Sequence, residues 1–96
     1  MSYSAVAAQE LAVRALVHIA EHPDLASALL ATSGLRPEAL RQAARDPDFC
    51  VHVLDFLLED DRRVLDFAQS LSIRPDEVLS ARMALAGPGS FGWEPD

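Results

Sequence analysis

The sequence has little of several residue types that would open whole classes of function. Cys50 is the only cysteine in 96 residues, which excludes a disulfide scaffold, and a lone thiol is typical of a reducing cytoplasm. Lysine is absent, so arginine supplies all eight basic side chains. The formal charge of -7 disfavours nucleic acid as a partner, because affinity for it comes from neutralising phosphates with basic side chains.

Long apolar runs are also missing. Glu10 and Arg14 interrupt the most apolar stretch, residues 5–20, and no segment reaches the roughly 20 apolar residues that a membrane-spanning helix needs. The amino terminus carries no basic region of the kind that a signal peptide shows. We therefore expect a cytoplasmic protein with no membrane partner. Half of its residues are apolar, which is enough for one domain to bury a core unaided.

Prolines followed by acidic residues mark helix beginnings. Proline suits the first helical position because its φ is fixed and its missing N–H would be unbonded there, and an acid favours the positive end of the helix dipole. Four prolines fit: Pro23, Pro37, Pro47 and Pro75. No segment alternates with the period of a half-buried strand. The pattern predicts an all-α compact bundle of about six short helices, at 4–21, 23–33, 37–45, 47–59, 61–71 and 75–86.

The sequence resembles itself at an offset of 38 residues. Identical residues at this offset are Val13 and Val51, Leu16 and Leu54, Glu21 and Glu59, Arg36 and Arg74, and Pro37 and Pro75. We predict two pseudo-repeated three-helix units, about 4–45 and 47–86, within one helical domain, 1–87. Because Pro23 aligns with Asp61, a helix break is expected there, with Asp60 as its N-cap. Gly34, after the apolar run of the second helix, is expected to end that helix in a left-handed conformation.

The first predicted helix is apolar nearly all round. Beyond its core face it carries Val6, Val13 and Val17, and Val17 aligns with a charged residue, Asp55, in the second unit. Large exposed apolar patches are uncommon on monomers. These valines are therefore covered either by helix six or the tail, or by a partner or a second copy.

The tail, 88–96, breaks the repeat. It carries Phe91 and Trp93 among glycines and prolines, and large aromatic side chains are costly to leave in water. It either folds back into a groove between the units or docks on another protein. Val6, Val13, Val17, Phe91 and Trp93 form the candidate interaction surface.

Candidate chemistry is sparse. His18 and His22 lie four residues apart, a spacing found in metal sites, but no glutamate follows His18 and Pro23 places His22 at a helix boundary, near terminal carbonyls or solvent. Cys50 and His52 point in different directions on a helix, so we interpret Cys50 as a small core residue. We expect no catalytic constellation, no metal and no cofactor.

The sequence also contains two charged clusters, one acidic and one basic. Glu59, Asp60 and Asp61 lie at a predicted helix junction, where acids cap and complement the dipole. Arg36, Arg41 and Arg45 cross the third helix, and three short helices can form a helix-turn-helix. The leading hypothesis is a non-enzymatic protein-interaction module, with a homodimer as one form of it. The alternative is a nucleic-acid-associated regulator with a helix-turn-helix-like unit.

Several stretches carry a resemblance over most of the chain, from about residue 6 to 84. They are the leucine-rich first helix, the turn from Gly34 to Pro37, the Asp-Pro start at Asp46, and the Leu-Asp-Phe-Leu run at 54–57. In these the chain resembles a family of small bacterial proteins known as a domain of unknown function. The shared features are core and turn residues. The resemblance implies a compact helical fold and carries over no catalytic or binding residue.

Overall fold

The computed structural model describes residues 3–86, and within them it contains six α-helices and no strand. The helices are α1 (Ala5–Ala20), α2 (Pro23–Ser33), α3 (Leu40–Ala43), α4 (Pro47–Leu58), α5 (Asp61–Leu71) and α6 (Asp76–Ala86). A 3-10 turn, Pro37–Ala39, leads into α3. The radius of gyration, 12.7 Å, is that of a compact folded chain. The prediction of an all-α bundle of about six helices is confirmed.

Aspartates cap two of the helices, and the predicted cap at Asp60 is confirmed. Asp46 accepts a hydrogen bond from the backbone N–H of Asp48 at 2.9 Å, and Asp60 accepts one from that of Arg62 at 2.8 Å. Each carboxylate satisfies an N–H that the first helical turn leaves unpaired, which stabilises the fold by about 1 kcal/mol. The Asp60 cap separates α4 from α5 although neither proline nor glycine lies between the two helices.

The predicted third helix, 37–45, is wrong in its length. Only residues 40–43 form α-helix, after one 3-10 turn. None of the side chains in either element is fully buried. A segment with so little apolar surface to bury cannot gain a long helix from packing.

The core lies where α1, α4 and α6 meet. α6 packs against both α1 and α4, which also pack against each other, while α2 covers α1 and α5 covers α4. The hydroxyl of Tyr3 donates a hydrogen bond to the carboxylate of Glu77, so the segment before α1 is held against α6. The largest fully buried side chains are Phe56, Phe67, Ile19, Leu29, Leu54, Leu57, Val53 and Val78.

Helix ends recur at the offset of the repeat. α1 and α4 end 38 residues apart, and α2 and α5 both begin and end 38 residues apart. The residue that follows α2, Gly34, has φ 73°, and the one that follows α5, Ser72, has φ 57°. Ser72 is the only residue other than glycine with positive φ within 3–86. These coincidences favour the proposed two-unit repeat.

Candidate interaction surface on α1

Three valines form an exposed line along α1. Val13 and Val17 follow Val6 by seven and eleven residues, which is about two and three helical turns, so all three lie on one side of the helix. Their exposed fractions are 71% for Val6, 38% for Val13 and 53% for Val17. We call these three residues the α1 ridge.

The opposite side of α1 is its core face. Leu11, Ala15, Leu16 and Ile19 are buried there. α6 packs against α1 yet leaves the α1 ridge in solvent, so the expectation that helix six covers these valines is wrong. Phe91 and Trp93, the other two predicted interaction residues, lie outside the described residues.

An apolar groove runs along one side of the α1 ridge, between α1 and the segment of the 3-10 turn and α3. Its volume is about 920 Å³. We call it the α1–α3 groove. Because α3 is a single turn, it leaves this side of α1 uncovered. The groove is lined chiefly by apolar side chains, among them Val13, Leu16, Val17, Ala20, Pro37, Leu40 and Ala44.

The matching position in the second half is closed by an ion pair. Arg82, on α6, is 4% exposed and donates from Nε to Oδ1 of Asp55 on α4 at 2.7 Å, and from Nη2 to Oδ2 at 3.3 Å. Two parallel hydrogen bonds of this kind fix the guanidinium and the carboxylate in one geometry. At the corresponding positions, 38 residues earlier, the first half has Val17 and Ala44. It therefore carries an apolar surface where the second half carries a satisfied polar contact.

A second groove, of about 650 Å³, lies on the other side of the ridge between α1 and α5. His18 lines it and is 8% exposed, with its ring 4.4 Å from that of His22 and 5.4 Å from that of Phe67. Within residues 3–86, Nε2 of His18 has no hydrogen-bond partner. Burial lowers the pKa of His18, and the neighbouring His22 lowers it further, against the opposing pull of Asp66 and Glu21.

The sequence analysis considered His18 only as a metal ligand and did not predict its burial. The signal that could have indicated burial was its alignment with Phe56, a core residue. The described residues contain no group of three or more potential metal ligands. His22 meets a terminal carbonyl as predicted, because its Nδ1 lies 2.7 Å from the backbone oxygen of His18.

Cys50 is a core residue, as predicted. It is 1% exposed, its Sγ lies 3.3 Å from the backbone oxygen of Ala44, and burial raises the pKa of its thiol. A buried thiol with a raised pKa holds little thiolate, the reactive form, near neutral pH.

The three arginines of the nucleic-acid alternative lie on the surface around α3. Arg36 lies 3.8 Å from the carboxylate of Glu38, and Arg41 and Arg45 line the α1–α3 groove. A recognition helix must present several side chains along a DNA groove, whereas α3 has four residues. Nothing in residues 3–86 favours that alternative.

The α1 ridge has charges beside it. Glu10 and Arg14 are exposed and lie one turn apart on α1, next to the valines. Neither makes an ion pair within the described part of the chain. The exposed side of α1 therefore combines an apolar ridge with one acid and one base.

Comparisons with known proteins identify the chain by family alone. Among residues 3–86 there is no helix whose length and apolar character would let it cross a membrane. Neither the curated proteins nor the solved structures contain a significant match. One family model matches residues 5–88, which is most of the chain. The chain belongs to the family described as Protein of unknown function (DUF3572).

Proposed function

We propose that this protein is a non-enzymatic protein-interaction module whose docking surface is the α1 ridge together with the α1–α3 groove. One observation carries the proposal: three valines stand exposed in one line on a central helix, beside an apolar groove. Leu65 and Leu79 are the only other large apolar side chains exposed within residues 3–86, and they lie on α5 and α6.

The energetic argument is that of the hydrophobic effect. Full burial of a valine side chain is worth about 1.5–3 kcal/mol relative to leaving it in water. Single exposed apolar residues are normal on protein surfaces, but contiguous exposed patches mark interaction sites. A partner that covered Val6, Val13 and Val17 together would gain several kcal/mol without disturbing the core, because these side chains make no part of it.

The finer statements belong to the same proposal. The acidic composition and the lone buried thiol support a cytoplasmic module that does not act on nucleic acid. The bacterial origin that the resemblance implies stays a prediction. The units 4–45 and 47–86 would act as one domain, because α6 packs against helices of both.

Photo-crosslinking in the native cell tests the docking surface. Benzoylphenylalanine is introduced at Val17 in one variant and at Leu65 in a control variant, because Leu65 is 52% exposed but lies on α5. After irradiation we expect a protein adduct from position 17 and none from position 65. The mass of the adduct separates a second copy from a different protein.

A second substitution checks that the adduct depends on the surface. Adding Val6→Asp to the position-17 variant should remove the adduct, because the aspartate places a charge in the apolar contact. Equal adduct yields at positions 17 and 65, or an adduct that survives Val6→Asp, would contradict the proposed function.

A further inference from the structure

We infer that the partner of the α1 ridge is a second copy of this chain, with the two α1 helices packed antiparallel about a two-fold axis. This inference rests on the proposed function, since it names the occupant of the same surface. Its basis is that the exposed side of α1 is complementary to itself in the spacing of its valines and in charge.

The valines fix the register of the pair. Val6 and Val17 are separated by about three full turns, so they lie at nearly the same angle around the helix. Their midpoint falls between residues 11 and 12. When a second α1 runs in the opposite direction about that midpoint, Val6 of each chain faces Val17 of the other. Both pairs form together, as an isologous interface requires.

The charged edge of α1 agrees with this register. Glu10 and Arg14 lie on the same edge of the exposed side, and a two-fold axis in the interface keeps that edge adjacent to the same edge of the partner. In this register Glu10 and the partner's Arg14 differ by one residue along the axis, about 1.5 Å. The pair occurs twice by symmetry. Each acid therefore meets a base, although neither side chain has an ion partner among the described residues of its own chain.

The opposite edge of the exposed side carries Val13. In the same register Val13 and the partner's Val13 are about three residues apart along the axis, roughly 4.5 Å, so their side chains contact each other. This edge also borders the α1–α3 groove, which Val13 and Val17 help to line. The two-fold axis therefore places the α1–α3 grooves of the two chains next to each other on this edge, so the apolar surface continues from one chain to the other.

The expected dimer is small and reversible. α1 has 16 residues and is about 24 Å long, so one helix from each chain gives an interface at the lower end of the sizes found in specific complexes. We expect the weight-average mass in analytical ultracentrifugation to rise from that of one chain toward that of two as concentration increases.

Engineered cysteines test both the partner and its direction. Val6→Cys and Val17→Cys chains, distinguished by a mass tag, are treated with a short bismaleimide alone and mixed. The mixture should give a crosslinked heterodimer, whereas each variant alone should stay uncrosslinked, because like positions are about 16 Å apart in the antiparallel pair. Cys50 is 1% exposed and should not react, which the wild-type chain checks.

A matched control uses Leu65→Cys mixed with Val17→Cys. Leu65 is as exposed as Val17 but lies on α5, so this mixture should crosslink at least tenfold less than the mixture of Val6→Cys and Val17→Cys. Similar yields in the two mixtures would mean random collision and would overturn the inference. Crosslinking of Val6→Cys with itself would overturn the antiparallel arrangement.

The failure of this inference is distinguishable from that of the proposed function. A chain that stays monomeric at all concentrations and gives no heterodimer overturns the second copy as partner. If position 17 then yields a photo-adduct with a protein of another mass, the proposed function stands. If position 17 yields no more adduct than position 65, both this inference and the proposed function are wrong.

Discussion

The two halves of the molecule have different contacts at equivalent positions. In the second half, α6 lies against α4 and the Asp55–Arg82 ion pair closes their contact. In the first half, α3 is one turn long and the equivalent positions hold Val17 and Ala44. The half with the polar contact is complete within the chain. The first half leaves the α1 ridge and the α1–α3 groove exposed, and this difference locates the candidate docking surface.

The largest expected effect comes from giving the second half the residue of the first. Asp55→Val removes the carboxylate that accepts two hydrogen bonds from the buried Arg82, and breaking such a pair costs about 2–4 kcal/mol of unfolding free energy. Chemical denaturation followed by circular dichroism measures this loss of unfolding free energy.

The double variant Asp55→Val with Arg82→Ala is the control for that prediction. It reproduces the residues of the first half, so it should cost less than the sum of the two single substitutions. Additive losses would show that the two side chains do not act as a pair.

The converse substitution, Val17→Asp, gives the first half the residue of the second. Because Val17 is half exposed, the unfolding free energy should change by less than about 0.5 kcal/mol. Self-association should weaken by tenfold or more, as the aspartate would face the apolar Val6 of the other chain. Sedimentation equilibrium measures the change. Leu65→Asp is the matched control and should leave the association constant unaltered.

Lowering the pH should destabilise the protein through His18, whose counterpart in the second half is Phe56. Burial lowers the pKa of His18 in the folded state, so the unfolded chain takes up a proton at higher pH than the folded one. The stability that depends on a neutral, buried His18 is complete above about pH 6.5, the ordinary pKa of histidine. It declines as the pH falls below that value. Urea titrations between pH 7 and pH 5 should show a smaller decline for His18→Phe than for the wild type. Equal declines in the two proteins would contradict a role for His18 in the pH dependence of stability.

The smallest effect is expected at the two helix ends with positive φ. Ser72 adopts φ 57° at the end of α5, a conformation that glycine takes without steric cost and that Gly34 provides after α2. Ser72→Gly should stabilise the protein by about 0.5 kcal/mol, and Gly34→Ser should destabilise it by about 1 kcal/mol. Thermal denaturation compares them. A loss of stability in Ser72→Gly would show that the serine side chain matters more than its backbone.

Local chemistry predicted most of the fold. Prolines with acids after them, two aspartate caps and one glycine placed the helices, because these residues act on the backbone within a few positions. α3 could not be predicted in its true length, since whether Pro37–Ala39 continues as α-helix depends on what the segment packs against.

The candidate surface was predicted only in part. The apolar side of α1 was visible as Val6, Val13 and Val17, but their exposure depends on where α6 lies, which the pattern does not encode. The Asp55–Arg82 pair joins residues 27 apart on different helices. Its signal was available in the repeat, because both residues change to apolar ones together, at Val17 and Ala44.

The position of α6 also governs the order in which the chain can fold. α6 is the last helix described, yet it completes the core between α1 and α4, and Glu77 on it holds the hydroxyl of Tyr3 at the start of the described chain. During synthesis, α1 to α5 therefore emerge before the helix that completes their core. The parts of α1 and α4 that α6 covers stay exposed until α6 has left the ribosome.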